Sequence, residues 1–146
     1  MTKLSYIALL GLILLFGCSR PAEITVVSDT VADPESKTLG KSIGIETLGG
    51  VFTPLLPSGC TLPCEVTQVF STADDNQDQI SITLLAGDVR LASEAQKLGK
   101  YQISGIAPAP RGAPQIAVTL RVSHQGLRLL ATDKNGGSQL AWQKLK

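Results

Sequence analysis

Aromatic residues are scarce in this chain of 146 residues: three Phe, two Tyr and one Trp. Neither charge is in excess, with 13 basic residues against 12 acidic ones, and there is a single His. Each shortage argues against a class of function. Without a basic field nothing attracts a phosphate backbone, and without aromatics nothing stacks on bases, so nucleic acid is a poor partner. The sole histidine, His124, falls in a turn at residues 123–126 with no identifiable partner carboxylate. The acidic residues lie in loops without a recognisable acid–base pair, so no catalytic residues are expected and an enzyme is a distant reading. No stretch carries a convincing amphipathic helical period, and there is no internal repeat. The apolar run at residues 7–16 has about half the roughly 20 residues that a membrane span takes.

Metal and nucleotide motifs are begun but not completed. Asp74, Asn76 and Asp78 have the spacing that opens a calcium loop. The sixth and twelfth positions, where such a loop needs Gly and Glu, are Gln79 and Leu85. Two cysteines, Cys60 and Cys64, with one distant His do not make a zinc site. Gly40-Lys41-Ser42 ends like a phosphate-binding loop, but Glu35 stands where that loop needs Gly, and no strong apolar strand precedes it. No metal, nucleotide or other cofactor is expected.

What is present begins with a targeting signal. Lys3 precedes the apolar run IALLGLILLF, which leads into Leu15-Phe16-Gly17-Cys18. The run reads as a signal-peptide core. The tetrad resembles the bacterial lipobox, so residues 1–17 are expected to be a lipoprotein signal peptide and Cys18 the lipidated anchor. An ordinary signal peptide or a short anchor is the alternative. Removing Lys3 with the leader balances the charges. Ser19, rather than Asp, follows the cysteine. By resemblance to enterobacterial lipoproteins, this favours a lipid anchor in the outer membrane of a bacterial envelope, facing the periplasm. Residues 18–41 read as a flexible tether, polar and without sustained period. The apolar ITVV at 24–27 is the one candidate strand within it.

From residue 42 to 146 the pattern is that of one all-β domain. Ile43, Ile45 and Thr47 alternate with other residues, Gly49-Gly50 permits a tight turn, and residues 51–56 form the next strand. Pro54 lacks an amide donor and belongs at a sheet edge or a bulge. Cys60 and Cys64, outside the cytoplasm, are expected either paired in a structural disulfide, with a turn bringing them together, or as free thiols. Residues 65–72 form a strand running into the polar loop Asp74-Asp75-Asn76. Ile80, Ile82 and Leu84 alternate cleanly, as do Ile116, Val118, Leu120 and Val122. A short strand is expected at 89–92 and a loop at 93–98. Further strands are expected at 100–106, at 127–132 and at 140–146. Many short strands with Gly/Pro-rich turns indicate a sandwich or barrel.

Five motifs, IETLGGV, QVFSTADDNQ, LGKYQISGI, APAPRGAPQI and ATDKNGG, are long and mutually spaced. In this order they resemble the substrate-binding β-domain of the 70-kDa heat-shock chaperones of the DnaK type, over residues 42–137. The resemblance implies a two-sheet antiparallel β-sandwich that grips an extended peptide. Carried over position by position, it places a central pocket at Ile45, Phe70, Ile80, Ile82, Ile116 and Val118. An arch over the peptide falls on Leu48 and Ala73. Contacts to peptide backbone fall on Thr47, Ser71 and Gln77, with Thr53 and Ser81 beside them. Periodicity alone assigns the six apolar residues to a core; the joint match to the family pattern assigns them to a pocket. Arg111 lies where the family latches a helical lid. Neither that lid nor the family's ATPase domain is expected in this chain. The expected function is ATP-independent binding of extended hydrophobic peptides or unfolded proteins by a membrane-anchored holdase or adaptor. The competing expectation is a structural or interaction lipoprotein that docks one fixed partner.

Overall fold

A computed structural model describes residues 21–26, 35 and 37–146. The expected signal peptide at 1–17 and the lipidation site Cys18 lie outside the described residues.

Nine β-strands and no α-helix occur among the described residues. They are β1 (Ala22–Val26), β2 (Ile43–Thr47), β3 (Val51–Leu56), β4 (Cys64–Phe70), β5 (Gln79–Ala86), β6 (Gln96–Ser104), β7 (Ile116–Ser123), β8 (Gly126–Asp133) and β9 (Ala141–Leu145). They form two antiparallel sheets, a four-stranded one in the order β1-β8-β7-β4 and a five-stranded one in the order β3-β2-β5-β6-β9. The fold is the all-β two-sheet sandwich that the alternation and the motifs predict.

Period two decides which faces meet. On β7, Ile116, Val118, Leu120 and Val122 are buried and the residues between them are not. Leu127, Leu129 and Ala131 of β8 and Ile80, Ile82 and Leu84 of β5 turn inward in the same way. Together with Tyr101 and Ile103 of β6 they make one core. A second, small cluster of Phe52, Leu85 and Ala92 lies apart from it.

The edge strands are managed individually. Pro54 lies on β3, an edge strand, opposite a register shift between Ile43 and Gly44. The missing donor therefore falls where both an edge and a bulge tolerate it. At the other side of the sandwich, β1 and β9 end their respective sheets, and Trp142 Nε1 donates to the Ala22 carbonyl at 3.1 Å.

Three expectations need correction. The tether over 18–41 is not structureless throughout. Ala22–Val26 pairs with β8, with Val26 and Leu39 both buried, so the sandwich begins well before residue 42. The candidate strand read at 24–27 is found as Ala22–Val26, and its partner lies about a hundred positions away in the chain. The strand expected at 89–92 is a single bridge, Val51 to Leu91, followed by a 3₁₀ turn over Ala92–Glu94. The loop expected at 93–98 gives way to β6 at Gln96, where a register shift between Leu84 and Leu85 carries Leu98 inward and disturbs the alternation.

Cys60 and Cys64 are joined in a disulfide, with Cα atoms 6.4 Å apart, so the chain between them turns. That turn carries the segment preceding β2. Leu39 donates its N–H to the Cys60 carbonyl at 2.9 Å, Gly59 donates to Leu39 at 2.7 Å, and Leu62 donates to Lys37 at 2.9 Å. Next to it, Ser42 binds Asp88 through both its N–H (3.2 Å) and its hydroxyl (2.6 Å). These bonds, the hydroxyl first, hold the Asp88 carboxyl below its usual value of 3.8.

Candidate functional site

At one end of the sandwich the last residues of β2 and β4 and the first residues of β5 come together. Ile45, Thr47 and Leu48, then Phe70 and Ser71, then Ser81 and Ile82 line an open groove of about 620 Å³. The floor is apolar and the rim carries hydroxyls. Among the described residues, Glu46 is the one charged residue in the lining. Sequence reasoning missed it, because the β2 alternation assigns it to the face opposite Ile45.

Each wall of the groove is a loop buttressed by a second loop. One wall is the turn after β2, where Gly49 and Gly50 have φ of 85° and 70°. Only glycine holds that conformation cheaply in both positions, which is what the pair supplies. Residues 90–92 brace this turn, since Phe52 donates to the Arg90 carbonyl at 3.0 Å and Ala92 donates to Gly50 at 2.8 Å. The opposite wall is the loop at 71–78, fastened to residues 106–112. Asn76 donates to Ala109 at 2.8 Å, Gly112 to Thr72 at 3.0 Å, and Ile106 to Asp78 at 3.0 Å. The Asp75 carboxylate accepts the Arg111 N–H at 2.9 Å. The acidic loop that resembled a calcium site is thus held by backbone bonds to its neighbour.

The structure sorts the six expected pocket residues into two groups. Ile45, Phe70 and Ile82 line the groove. Ile80, Ile116 and Val118 do not; Ile116 and Val118 are 0% and 1% exposed. Ile116 lies directly across from Phe70 in the β4–β7 ladder, on an inner strand flanked by β4 and β8. Ile116 belongs to the main core, so it supports the pocket from within.

Of the two arch residues, Leu48 is fully exposed and lines the groove, whereas Ala73 is exposed outside the lining. Gln77 explains the position of Ala73. Its Oε1 accepts from the N–H groups of Ala73 (3.0 Å) and Asp74 (3.1 Å), and its Nε2 donates to the Gln79 carbonyl at 2.6 Å. Gln77 therefore shapes the loop, with one N–H of its amide engaged by the Gln79 carbonyl. The Ser71 hydroxyl donates to the Pro114 carbonyl at 2.6 Å, which leaves its lone pairs to accept an N–H. Thr47 shares a hydrogen bond with Thr53 at 3.0 Å. Ser81 sits in the lining beside Ile82.

A groove with an apolar floor, hydroxyls along its rim and free strand ends on either side suits extended polypeptide. Comparison with known proteins gives the same direction. The family model described as Hsp70 protein matches residues 26–142. The chain belongs to the Hsp70 family. Among the curated relatives of this Hsp70-family chain is the chaperone protein DnaK of Mycoplasma mycoides subsp. mycoides SC, 47% identical over 95 residues. That alignment covers 64% of this chain and 16% of the relative, so the chain spans a small part of that protein's length. The Hsp70 match takes in every strand from β2 to β8, and with them both walls of the groove.

Proposed function

We propose that this Hsp70-family domain binds extended apolar segments of unfolded polypeptides in the groove, without nucleotide, while anchored through Cys18 to a bacterial outer membrane on its periplasmic side. The observation that carries the reading is the open groove floored by Ile45, Phe70 and Ile82. Among the described residues the groove is open to solvent, which supports binding without nucleotide-driven opening. Burying one leucine side chain from a client contributes about 1.5–3 kcal/mol. A few main-chain hydrogen bonds add roughly 1 kcal/mol each. Against the cost of association this supports about micromolar affinity and fast exchange, the behaviour of a holdase or adaptor. The tetrad Leu15-Phe16-Gly17-Cys18 supports the lipid anchor. The disulfide between Cys60 and Cys64 suits an oxidising compartment.

Fluorescence anisotropy of a leucine-rich peptide titrated with the full chain, with and without ATP, tests the function. Saturable binding indifferent to ATP is expected. Leu48→Ser is the discriminating variant, because Leu48 lines the groove yet is 100% exposed. It should weaken peptide binding by about fivefold while shifting stability by less than about 0.5 kcal/mol. Undiminished binding by Leu48→Ser, or no binding by the wild type, sinks the proposal. Incorporation of labelled fatty acid, abolished by Cys18→Ala, tests the anchor separately.

A further inference from the structure

Among the described residues four large apolar side chains are well exposed: Leu48, Val51, Val69 and Leu91. Three of them belong to one place. Thr47, a groove-lining residue, is the direct ladder partner of Val51, and Val51 is bridged in turn to Leu91. Directly opposed residues in antiparallel strands present their side chains on the same face. Thr47, Val51 and Leu91 therefore form a row running sideways out of the groove, and Leu91 at its end also borders a hollow beside Glu46, Thr83 and Leu85. The row ends in a second open hollow of about 420 Å³, lined by Val51, Arg90, Leu91 and Glu94. Val51 and Leu91 are 43% and 48% exposed there, on a backbone fixed by the bonds between residues 90–92 and the turn after β2.

We infer that Val51 and Leu91 form a second apolar subsite, and that its occupant is the continuation of the client polypeptide held in the groove. The inference rests on the peptide-binding reading of that groove. Continuity selects this occupant. A chain leaving the groove over Thr47 meets Val51 one strand spacing on and Leu91 one further, about 10 Å in all. That distance is about three residues of extended chain. Arg90 and Glu94 stand on the rim with opposite charges, so the subsite selects for an apolar residue without favouring either sign beside it. The preferred client then has two apolar anchors separated by a short polar spacer, and the footprint on the domain is longer than the groove alone.

The test compares two fluorescent peptides on the full chain. One carries a single Leu-Leu-Leu cluster flanked by Ser and Gly. The other adds one further Leu beyond a spacer of four Ser/Gly residues. The two-anchor peptide should bind about tenfold tighter, the return for half-burying one more leucine. Leu91→Ser should bring it down to the affinity of the single-anchor peptide while leaving the latter's own binding unchanged. Val51→Thr, which keeps shape and β-branching, should do the same, with circular dichroism melts checking that both variants are folded. Equal binding of the two peptides by the wild type overturns the second subsite and leaves the groove reading intact. An equal loss for both peptides in Leu91→Ser and Val51→Thr overturns it too. Failure of the single-anchor peptide to bind the wild type overturns the groove reading, and the subsite with it.

Discussion

Single hydrogen-bonding groups account for two stability effects of opposite sign. Asp88 accepts both the N–H and the hydroxyl of Ser42, and the depressed carboxyl pKa records that preference for the ionised form. The unfolded chain then binds the proton more readily than the folded one. Asp88 therefore contributes stability fully above its ordinary value of 3.8, and loses it as the pH falls through the lower folded value. Asp88→Asn should flatten the acid limb of a plot of urea midpoint against pH below about pH 4, where the wild type declines more steeply. Tyr101 is the converse case. Its ring packs edge-on against Trp142 at 6.4 Å between centroids, but its buried hydroxyl has no hydrogen-bond partner among the described residues. Burial accordingly raises its pKa. Removing an unsatisfied buried oxygen while keeping the ring relieves a desolvation cost, so Tyr101→Phe should stabilise the chain by about 1 kcal/mol in a denaturant titration.

At the scale of elements, the disulfide loop and the segment at 37–39 depend on each other. The Cys60–Cys64 bridge closes a loop with a sequence separation of 4, and the same loop holds residues 37–39 by three backbone hydrogen bonds. A cross-link over so short a loop is worth about 2 kcal/mol through the unfolded state. Replacing both cysteines by serine should lower stability by that amount, and the amides of Leu39 and Leu62 should exchange with deuterium before those of β7. The pairing of these cysteines was open to two readings in the sequence, because spacing does not reveal a turn. Elsewhere the elements divide by how local their cause is. β5 and β7 were legible at once, since Ile80-Ser81-Ile82 and Ile116-Ala117-Val118 display one period and one buried face. β1 showed only as the short apolar stretch at 24–27, because what makes it a strand is the distant edge of β8. The groove was legible as a set of positions and not as a surface. Ile82 and Ile80 share a face and a residue type, yet only Ile82 reaches the lining. The two are almost equally buried, at 8% and 7% exposed, so neither the local pattern nor burial separates them.

The whole sandwich is closed differently along its two sides, and this decides what it tolerates. Along the groove side, β3 and β4 are joined by a short connection that contains the disulfide. Along the other side no connection joins β1 to β9; Trp142 reaches across to the Ala22 carbonyl, and Val26 inserts into the shared core. Strand β1 is therefore the removable edge. A chain beginning at residue 37 gives up the buried Val26 and half-buried Ile24, together worth about 3 kcal/mol. The exposed pair Arg128–Glu23, at 3.2 Å, adds little to that sum. The larger consequence is topological: β8 becomes an edge, with a row of unpaired N–H and C=O groups beside Leu127 and Leu129. The truncated chain should lose about 3 kcal/mol in urea unfolding. It should also self-associate with concentration on gel filtration, whereas β1 keeps that edge covered in the untruncated chain. A synthetic peptide of residues 21–27 supplied in excess should reverse both effects by taking the place of β1. Peptide binding in the groove should persist throughout, because the groove lies at strand ends contributed by β2, β4 and β5 and owes none of its lining to β1. Loss of groove binding on truncation would show instead that the two sides of the sandwich are coupled through the core.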